Sequence, residues 1–505
     1  MPELSIDGHT VTFEPGQTVL DAARLAGVEI PSLCFLPGRA PQTSCFLCVV
    51  RVNGGSRLLP SCATMAAAGM AVESETPDVL SARRTAIELL LSDHLGDCVA
   101  PCRGICPAHM DMPGMTRLIA QRRFRDAIAL VKQQIALPAV LGRICPELCE
   151  KGCRRTARDG AVSICLLKRF VADRDLASNE PWLPECKPDS GKRVGILGAG
   201  PAGLAAAWHL QQEGHSCTLY DDHEEPGGAL RYAIPEEKMP RNVLDNEIAL
   251  IMRIGAVFMG GRAVSVEELV ARYDAVLIAG GSNSSGNLKE WLAISPKDEK
   301  VFVAGTVTSP SKFAVRAVAE GHEASRQITA FLANETLTKR EKEFSVHVGK
   351  LTAAEVEPFV AVSQPWGRVT PSDGNFEGLS EEEAVREAAR CLHCDCSKAV
   401  GCKLRECAVK LDANPLRFRG ERREFVQDAT HPAVLFESGK CIACGICVRI
   451  ASEAKEQLGL TFMGRGFTVR AGAPFGENLV DALKTTALEC ADACPTGALV
   501  RSNKD

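Results

Sequence analysis

The feature that most constrains this chain is its cysteine content, 23 in 505 residues. Most of these cysteines occur in groups with short spacings, and closely spaced thiols in a reducing compartment typically bind metal and do not form disulfides. Zinc sites favour paired C-x2-C knuckles, whereas mixed spacings that end in Cys-Pro favour iron–sulfur clusters. The sequence therefore predicts several iron–sulfur clusters, distributed over about three to five domains.

Charge and hydropathy narrow the range of partners. The net charge of −5 argues against nucleic acid or an anionic membrane as the main partner. No run approaches the ~18 apolar residues of a membrane span. The first ten residues, MPELSIDGHT, lack the basic and apolar regions of a signal peptide. We therefore expect a cytoplasmic protein without a membrane span.

Local patterns predict several secondary-structure elements. Turn residues, capping residues and apolar periodicity are the signals that carry these predictions. The predicted elements are a hairpin at 3–13 around Asp7-Gly8, helices at Thr18–Gly27, 80–93, 114–134 and 380–390, a strand–turn–helix–strand unit at 192–221, and a linker at 363–379.

The first cysteine group predicts a [2Fe–2S] cluster at the edge of a small β-grasp domain. Its ligands are Cys34, Cys45, Cys48 and Cys62. With the preceding hairpin and helix, the group resembles the N-terminal domain of the large iron–sulfur subunit of complex I and of iron-only hydrogenases, over roughly residues 1–98. That resemblance implies that His94, which precedes Cys98 by an x3 spacing, ligates a [4Fe–4S] cluster. The alternative is an ordinary histidine at a helix end.

The next cysteines resemble the small subunit of glutamate synthase and the N-terminal part of dihydropyrimidine dehydrogenase. There, two [4Fe–4S] clusters share interleaved ligands in a helical domain. The resemblance implies one cluster on Cys98, Cys102 and Cys153, with His94 in the position of an absent cysteine. It implies a second cluster on Cys106, Cys145 and Cys149. Lys168 stands where this family often has an acid, and Cys165, about one turn earlier, would complete the second site.

The two C-terminal groups predict two more [4Fe–4S] clusters. The fourth group consists of Cys391, Cys394, Cys396 and Cys402, and zinc is the alternative metal there. The fifth resembles half of a bacterial ferredoxin, in which a Cys-Pro cysteine completes the cluster; its ligands are Cys441, Cys444, Cys447 and Cys494. The resulting inventory is one [2Fe–2S] and four [4Fe–4S] clusters, which leaves Cys186, Cys217, Cys407 and Cys490.

A glycine-rich loop predicts a dinucleotide site. Gly198-x-Gly200-x-x-Gly203 lies between an apolar strand and a helix, and Asp221 ends the next strand, where an acid bonds a ribose hydroxyl. The downstream motifs resemble the glutamate synthase small subunit and imply FAD, with Thr306 in place of that family's aspartate. The implied cofactor-binding residues are Gly198, Gly200, Pro201, Ala202, Gly203, Asp221, Gly227, Gly228, Arg231, Gly280, Gly305 and Thr306.

One expected domain is missing. In the glutamate synthase small subunit a second Rossmann domain, for NADPH, is inserted between the glycine turn and the closing FAD motif. Here only residues 282–300 join Gly281 to Val301, whereas such a domain needs on the order of 100 residues. We therefore expect the flavin to have no nicotinamide platform of its own.

These observations predict a multidomain α+β and α/β protein. The expected domains are a β-grasp [2Fe–2S] domain at 1–80, a helical two-cluster domain at 81–188, a Rossmann-like FAD domain at 189–335, a linker at 336–379 and a two-cluster domain at 380–505.

The mosaic of resemblances implies an electron-transfer subunit of a multisubunit oxidoreductase. It would carry electrons between NADH dehydrogenase-like flavoprotein subunits and a catalytic partner of the hydrogenase, formate dehydrogenase or aldehyde oxidoreductase type, with no catalytic residues of its own. The alternatives are a glutamate-synthase-like NADPH oxidoreductase and a scaffold whose flavin fold is empty.

Overall fold

The computed structural model describes residues 1–281, 298–305, 312–335, 344–361, 363–372, 378–421 and 425–502. The chain forms two compact units, each built from separate stretches. The first unit comprises Met1–Val99, Glu343–Val362 and Cys394–Asp505, and the second comprises Ala100–Lys342 and Ser363–His393. Thr306 and the junction at 282–297 lie outside the described residues. Within the described part of the chain, no helix is long and apolar enough to cross a membrane.

The first unit begins with a five-stranded sheet. The predicted hairpin is confirmed, and both turn residues have positive φ, 48° at Asp7 and 84° at Gly8. Across the sheet the order is β2-β1-β5-β3-β4, with β1 parallel to β5 and the other pairs antiparallel. The strands are β1 Glu3–Ile6, β2 His9–Thr12, β3 Val49–Val52, β4 Leu58–Pro60 and β5 Ala71–Glu73.

Two helices accompany this sheet. Helix Val19–Leu25 begins at Thr18, whose side chain forms a capping box with Asp21, so the predicted helix is confirmed. Helix Pro77–Ser92 begins with a proline, which lacks the amide hydrogen that the first turn leaves unpaired. Its buried face carries the apolar Val79, Ile87 and Leu91 together with Arg83 and Glu88, and the helix ends two residues before His94.

The second unit begins with a set of short helices. The single helix predicted at 114–134 is wrong, because Arg122 adopts a positive φ of 58° and separates two helices. The predicted helix at 380–390 is confirmed, with Ser380 and Glu383 forming a capping box. The helices are Pro101–Ile105, Met112–Ala120, Phe124–Lys132, Pro138–Ile144, Leu148–Lys151, Ile164–Leu176 and Glu381–Ala388.

A five-stranded parallel sheet forms the rest of the second unit. Its order is β10-β9-β6-β7-β8, and long helices cover it. The strands are β6 Arg193–Leu197, β7 Ser216–Tyr220, β8 Val257–Met259, β9 Ala275–Ile278 and β10 Val301–Val303; the helices are Pro201–Gln212, Ala229–Tyr232, Arg241–Arg253, Val266–Arg272 and Ala314–Leu332.

The C-terminal stretches return to the first unit. Helix Ala353–Ala361 lies within the stretch expected to be a linker, 336–379. Further helices are Lys403–Lys410, Ile446–Glu453, Leu479–Ala482 and Ala487–Ala493. A three-stranded antiparallel sheet and a two-stranded one complete this part: β11 Gln427–Asp428, β12 Val434–Glu437 and β15 Leu499–Arg501 form the first, and β13 Thr461–Met463 and β14 Arg470–Gly472 form the second.

Candidate metal centres and nucleotide site

The first cysteine group converges on one buried site in the first unit. The Sγ atoms of Cys34 and Cys45 lie 3.4 Å apart. Hydrogen bonding from the Cys45 thiol lowers the pKa of Cys34, and hydrogen bonding from Cys62 lowers the pKa of Cys48. All four thiols are buried. Four converging thiols in two pairs fit the donor set of a two-iron cluster.

The ferredoxin-like group forms a second site in the same unit. Burial, together with the nearby Cys494 and Cys441 thiols, raises the pKa of Cys444 to about 12. Burial and the same neighbouring thiols also raise the pKa of Cys447. Cys34 contributes to the shift at Cys444 as well, so this site adjoins the first one.

Local backbone geometry shapes the loop of this second site. Ala443 and Gly445 have positive φ values of 51° and 74°, which turn the loop before helix Ile446–Glu453 begins. The Ala443 amide donates a hydrogen bond of 3.4 Å to Cys441 Sγ. The Cys490 thiol donates a hydrogen bond of 3.6 Å to the Cys447 carbonyl.

A third thiol group in the first unit joins residues about 300 positions apart in the sequence. Burial raises the pKa of Cys98, and the neighbouring Cys396 and Cys402 thiols raise it further. Cys396 also contributes to the raised pKa of Cys402, of which burial is the main cause. Cys402 is the N-cap residue of helix Lys403–Lys410. These three thiols therefore share one environment.

The His94 ring lies near Lys440, which in turn lies near Cys396. Its Nδ1 atom is buried and has no hydrogen-bond partner among the residues that the structure describes. Burial, with a smaller contribution from the Lys440 ammonium, lowers the pKa of His94 to about 3. The imidazole is therefore neutral, which is the form that ligates a metal.

Polar contacts join helix Pro77–Ser92 to the chain that follows helix Lys403–Lys410. Helix Pro77–Ser92, which precedes His94, carries Glu88, and its carboxylate accepts from the Asn414 amide at 3.0 Å and pairs with Arg417 at 2.8 Å. These contacts fix the chain that follows helix Lys403–Lys410.

The third site also adjoins the ferredoxin-like site. A Cβ at Gly497 would lie only 2.5 Å from Cys396 Sγ, so the Cys396 thiol lies close to the Gly497 backbone. Burial lowers the pKa of Lys440, but Glu437 and Cys396 outweigh it and leave the pKa above its usual value. Lys440 immediately precedes Cys441 in the sequence. A buried cation therefore lies between the two thiol groups.

In the second unit, Cys153 lies beside Cys391. Burial raises the pKa of Cys153, and the Cys391 thiol adds to the shift. Helix Pro101–Ile105, which carries Cys102, packs against the residue before Cys153, because a Cβ at Gly152 would lie 2.2 Å from the Ile105 side chain.

Buried arginines hold the Cys391 segment in place. Arg390 pairs with Glu387 at 2.7 Å and with Asp159 at 3.0 Å. Arg155 donates to the Arg390 carbonyl and also pairs with Asp159. Both arginine side chains are fully buried. Because removing one partner of a buried network leaves a charge uncompensated, this network firmly positions Cys391.

Three thiols of the second unit line a small cavity, those of Cys106, Cys145 and Cys149. Hydrogen bonding with the Cys165 thiol is the main cause of the raised pKa of Cys145, and Cys165 hydrogen-bonds with Cys149 as well. A cavity with four thiols around it fits a [4Fe–4S] donor set.

The spatial groups differ from the sequence-based ligand sets in two respects. Cys98 was expected to share a cluster with Cys102 and Cys153, and Cys391 with Cys396 and Cys402. In the structure the Cys98 thiol lies near Cys396 and Cys402, and the Cys153 thiol lies near Cys391. Cys394 is the first residue of the stretch that returns to the first unit. The sequence carries no local signal for this regrouping of cysteines, because the spacing of cysteines relates only residues that are close along the chain.

The glycine loop of the parallel sheet has the geometry of a phosphate site. A Cβ at Gly198 would lie 2.6 Å from the Ala279 carbonyl, and one at Gly203 would lie 2.0 Å from the Gly198 carbonyl. A Cβ at Gly200 would lie 4.0 Å from the Gly228 Cα, whereas one at Gly228 would lie 2.8 Å from the Gly200 Cα, so the two glycines pack closely. The space that remains beside Gly200, at the N-terminus of helix Pro201–Gln212, is the position at which a dinucleotide pyrophosphate binds in such folds.

Asp221 follows β7 and points back to this loop. One carboxylate oxygen accepts a hydrogen bond from the Ala199 amide at 2.8 Å, and the other lies 2.9 Å from His223 Nδ1. Hydrogen bonding to Asp221 raises the pKa of His223. The two residues flank the position where a ribose binds in such folds.

The other predicted cofactor residues lie around the same loop. Gly227 donates to the Ala199 carbonyl at 2.8 Å, and Gly228 has a positive φ of 51°. Arg231 is occupied by the Pro226 carbonyl and by Asp245, so its role is to hold this turn. Gly305 donates to Glu320 at 2.8 Å. The structure also places Pro201, Ala202 and Gly280 at this loop.

Three stretches of the chain match known protein families. Residues 2–77 match the 2Fe-2S iron-sulfur cluster binding domain. Residues 95–180 match dihydropyrimidine dehydrogenase domain II, 4Fe-4S cluster, and residues 196–253 match the NAD(P)-binding Rossmann-like domain. The chain therefore combines [2Fe–2S] and [4Fe–4S] iron–sulfur domains with a Rossmann-like nucleotide-binding domain.

Curated relatives are subunits of oxidoreductases. NADPH-Fe(3+) oxidoreductase subunit beta of Geobacter sulfurreducens is 38% identical over 192 residues, 37% of this chain and 29% of that one. NADP(+)-dependent formate dehydrogenase subunit beta of Moorella thermoacetica is 36% identical over 214 residues, 37% and 30% of the two chains. The PreT subunit of NAD-dependent dihydropyrimidine dehydrogenase of Escherichia coli is 39% identical over 196 residues, 37% and 47%. The chain thus spans less than half the length of these relatives.

Proposed function

We propose that this chain is an electron-transfer subunit of a multisubunit NAD(P)-linked oxidoreductase. It would relay electrons through one [2Fe–2S] cluster, four [4Fe–4S] clusters and FAD. Its partners would be NADH dehydrogenase-like flavoprotein subunits and a catalytic subunit of the hydrogenase, formate dehydrogenase or aldehyde oxidoreductase type. Support comes from the matched iron–sulfur domains and from relatives that are oxidoreductase subunits.

The observation that carries this proposal is the continuity of three thiol sites within the first unit. Cys34 lies close enough to Cys444 to affect its pKa. Cys396 contacts the glycine that follows the Cys494 loop, and Lys440 lies beside both thiol groups. Neighbouring clusters allow electrons to pass between them, so these sites would form a path for single electrons.

We assign the cluster ligands from the spatial groups. The third site of the first unit would take His94, Cys98, Cys396 and Cys402. One cluster of the second unit would take Cys102, Cys153 and Cys391 among its ligands, and the other would take Cys106, Cys145, Cys149 and Cys165. The [2Fe–2S] and ferredoxin-like sites keep the ligands predicted from the sequence.

The nucleotide site would hold FAD. A bound flavin converts two-electron to one-electron transfer. The open space at Gly200 would accept its pyrophosphate, and Asp221 would orient its ribose. The short junction between Gly281 and Val301 supports a flavin without its own nicotinamide domain.

A second candidate is an NADPH oxidoreductase. It is favoured by the names of two relatives, which specify NADPH and NADP(+), and by the match to an NAD(P)-binding Rossmann-like domain. In that case the glycine loop would bind the nicotinamide nucleotide itself.

Anaerobic purification of the full chain tests the proposal. The protein should contain about 18 iron atoms, from one two-iron and four four-iron clusters, and extraction should release FAD. A value near ten irons would contradict the two-cluster interpretation of the second unit. Extraction of a nicotinamide nucleotide in place of flavin would favour the second candidate, and zinc in place of four irons would remove the proposed site at Cys396 and Cys402.

A further inference from the structure

A buried lysine faces the thiol cavity of the second unit. Among the residues that line this cavity, Lys168 is the only one with a charged side chain. Three thiols line the same cavity, and the remaining wall is apolar, formed by Pro107, Met110, Met112, Ile135, Leu148, Ile164 and Val315. Lys168 is only 3% exposed. Its charge is therefore poorly screened by water.

Helix geometry aims Lys168 and Cys165 in the same direction. Helix Ile164–Leu176 places Cys165 in its first turn and Lys168 one turn later. Residues three apart lie on the same face of a helix. The Cys165 thiol makes contacts with Cys145 and Cys149, so the lysine on that face is directed at the same thiols.

Nearby acids leave the lysine charge to act on the thiolates. One oxygen of Glu150 accepts from the Cys165 amide at 2.9 Å, and the other pairs with Arg368 at 2.8 Å. Carboxylate oxygens of Glu147 and Glu150 lie within 4.8 Å of the Cys165 thiol, but Glu147 is exposed to solvent, which screens its charge.

We propose that Lys168 raises the reduction potential of the [4Fe–4S] cluster held by Cys106, Cys145, Cys149 and Cys165. The inference rests on the proposed function. Reduction adds one electron, and hence one negative charge, to a site already surrounded by thiolates; no proton moves and no bond changes. A fixed positive charge in a buried, mostly apolar cavity offsets that added negative charge. Net charge is one of the factors that set the reduction potential of a cluster. Lys168 would therefore act on the cluster through its positive charge and would not bind iron.

The test is a redox titration of the full-length protein, followed by electron paramagnetic resonance. The signal of this cluster is identified as the one that Cys165→Ser changes. Lys168→Met should make the cluster at least tenfold harder to reduce, which is about 59 mV for a one-electron couple. Lys168→Arg, which keeps the charge, should change the reduction equilibrium less than threefold. Lys151→Met removes an exposed lysine from helix Leu148–Lys151 and should change it less than twofold.

Each result of the titration either supports or overturns the inference about Lys168. An unchanged potential in Lys168→Met, with the cluster signal intact, overturns the inference and leaves the proposed function standing. If Lys168→Met loses this cluster while Lys168→Arg keeps it, the charge is needed to hold the cluster, which supports the inference. If both variants lose it equally, side-chain shape and not charge is responsible, and the inference fails. Absence of the signal from the wild-type protein contradicts the proposed function itself.

Discussion

Cys98 and Cys102 are expected to serve different clusters, although only three residues separate them in the sequence. The chain passes from the first compact unit to the second between these two cysteines. Cys98 lies beside Cys396 and Cys402, whereas Cys102 lies on the helix that packs before Cys153. Three variants test whether the two cysteines serve different clusters: Cys98→Ala, Cys102→Ala and the double variant.

The expected iron contents of the variants follow from the proposed cluster ligands. The wild-type chain should hold about 18 iron atoms, and each single variant should hold about 14, because each loses one four-iron cluster. The double variant should hold about 10, because separate sites are lost independently. If both cysteines ligate one shared cluster, the double variant should still hold about 14.

Iron analysis and electron paramagnetic resonance of anaerobically purified protein provide the assay. The two single variants should lose different [4Fe–4S] signals and keep the [2Fe–2S] signal. Cys407→Ala is the matched control, since Cys407 is a half-buried cysteine on helix Lys403–Lys410 outside every proposed site; it should keep all the iron. Loss of the same signal in both single variants, with a double variant no worse than either, would refute the reasoning.

Three further predictions concern single positions. His94→Ala should disturb one [4Fe–4S] signal and spare the [2Fe–2S] signal, whereas His94→Cys should retain the cluster at a lower potential, since a thiolate adds negative charge; unchanged spectra in both would make His94 an ordinary residue. Gly200→Val should fill the space beside the helix N-terminus and weaken FAD binding at least tenfold by fluorescence titration; unchanged affinity would place the cofactor elsewhere. Lys132→Met breaks the buried 2.9 Å pair with Asp175 and should lower the free energy of unfolding by about 3–5 kcal/mol in a denaturant titration; a loss below 1 kcal/mol would contradict this.

Elements with local signals could be predicted from the sequence. The Asp7-Gly8 turn and the helices capped by Thr18 and Ser380 depend on residues within a few positions of each other, and all are present. The break at Arg122 could not be predicted, because neither glycine nor proline marks it and its cause is a single positive φ.

The cysteine groups show the same difference between local signals and long-range contacts. Cys441, Cys444 and Cys447 lie in one loop, and the predicted set comes together with Cys494. The partners of Cys98 are about 300 residues away, and their approach depends on how two segments pack within the first unit. Buried charged groups such as Arg390 are equally invisible in the sequence, because a charged residue is usually exposed.

The most direct test of the central claim is the reduction of the flavin by nicotinamide nucleotides. Stopped-flow absorbance should show that neither NADH nor NADPH bleaches the flavin of the isolated chain at a useful rate, because hydride transfer needs the nicotinamide ring to be held against the flavin. Bleaching should become fast when a partner with its own nicotinamide and flavin sites is added. Rapid bleaching of the isolated chain by NADPH would contradict the account and establish the NADPH oxidoreductase alternative.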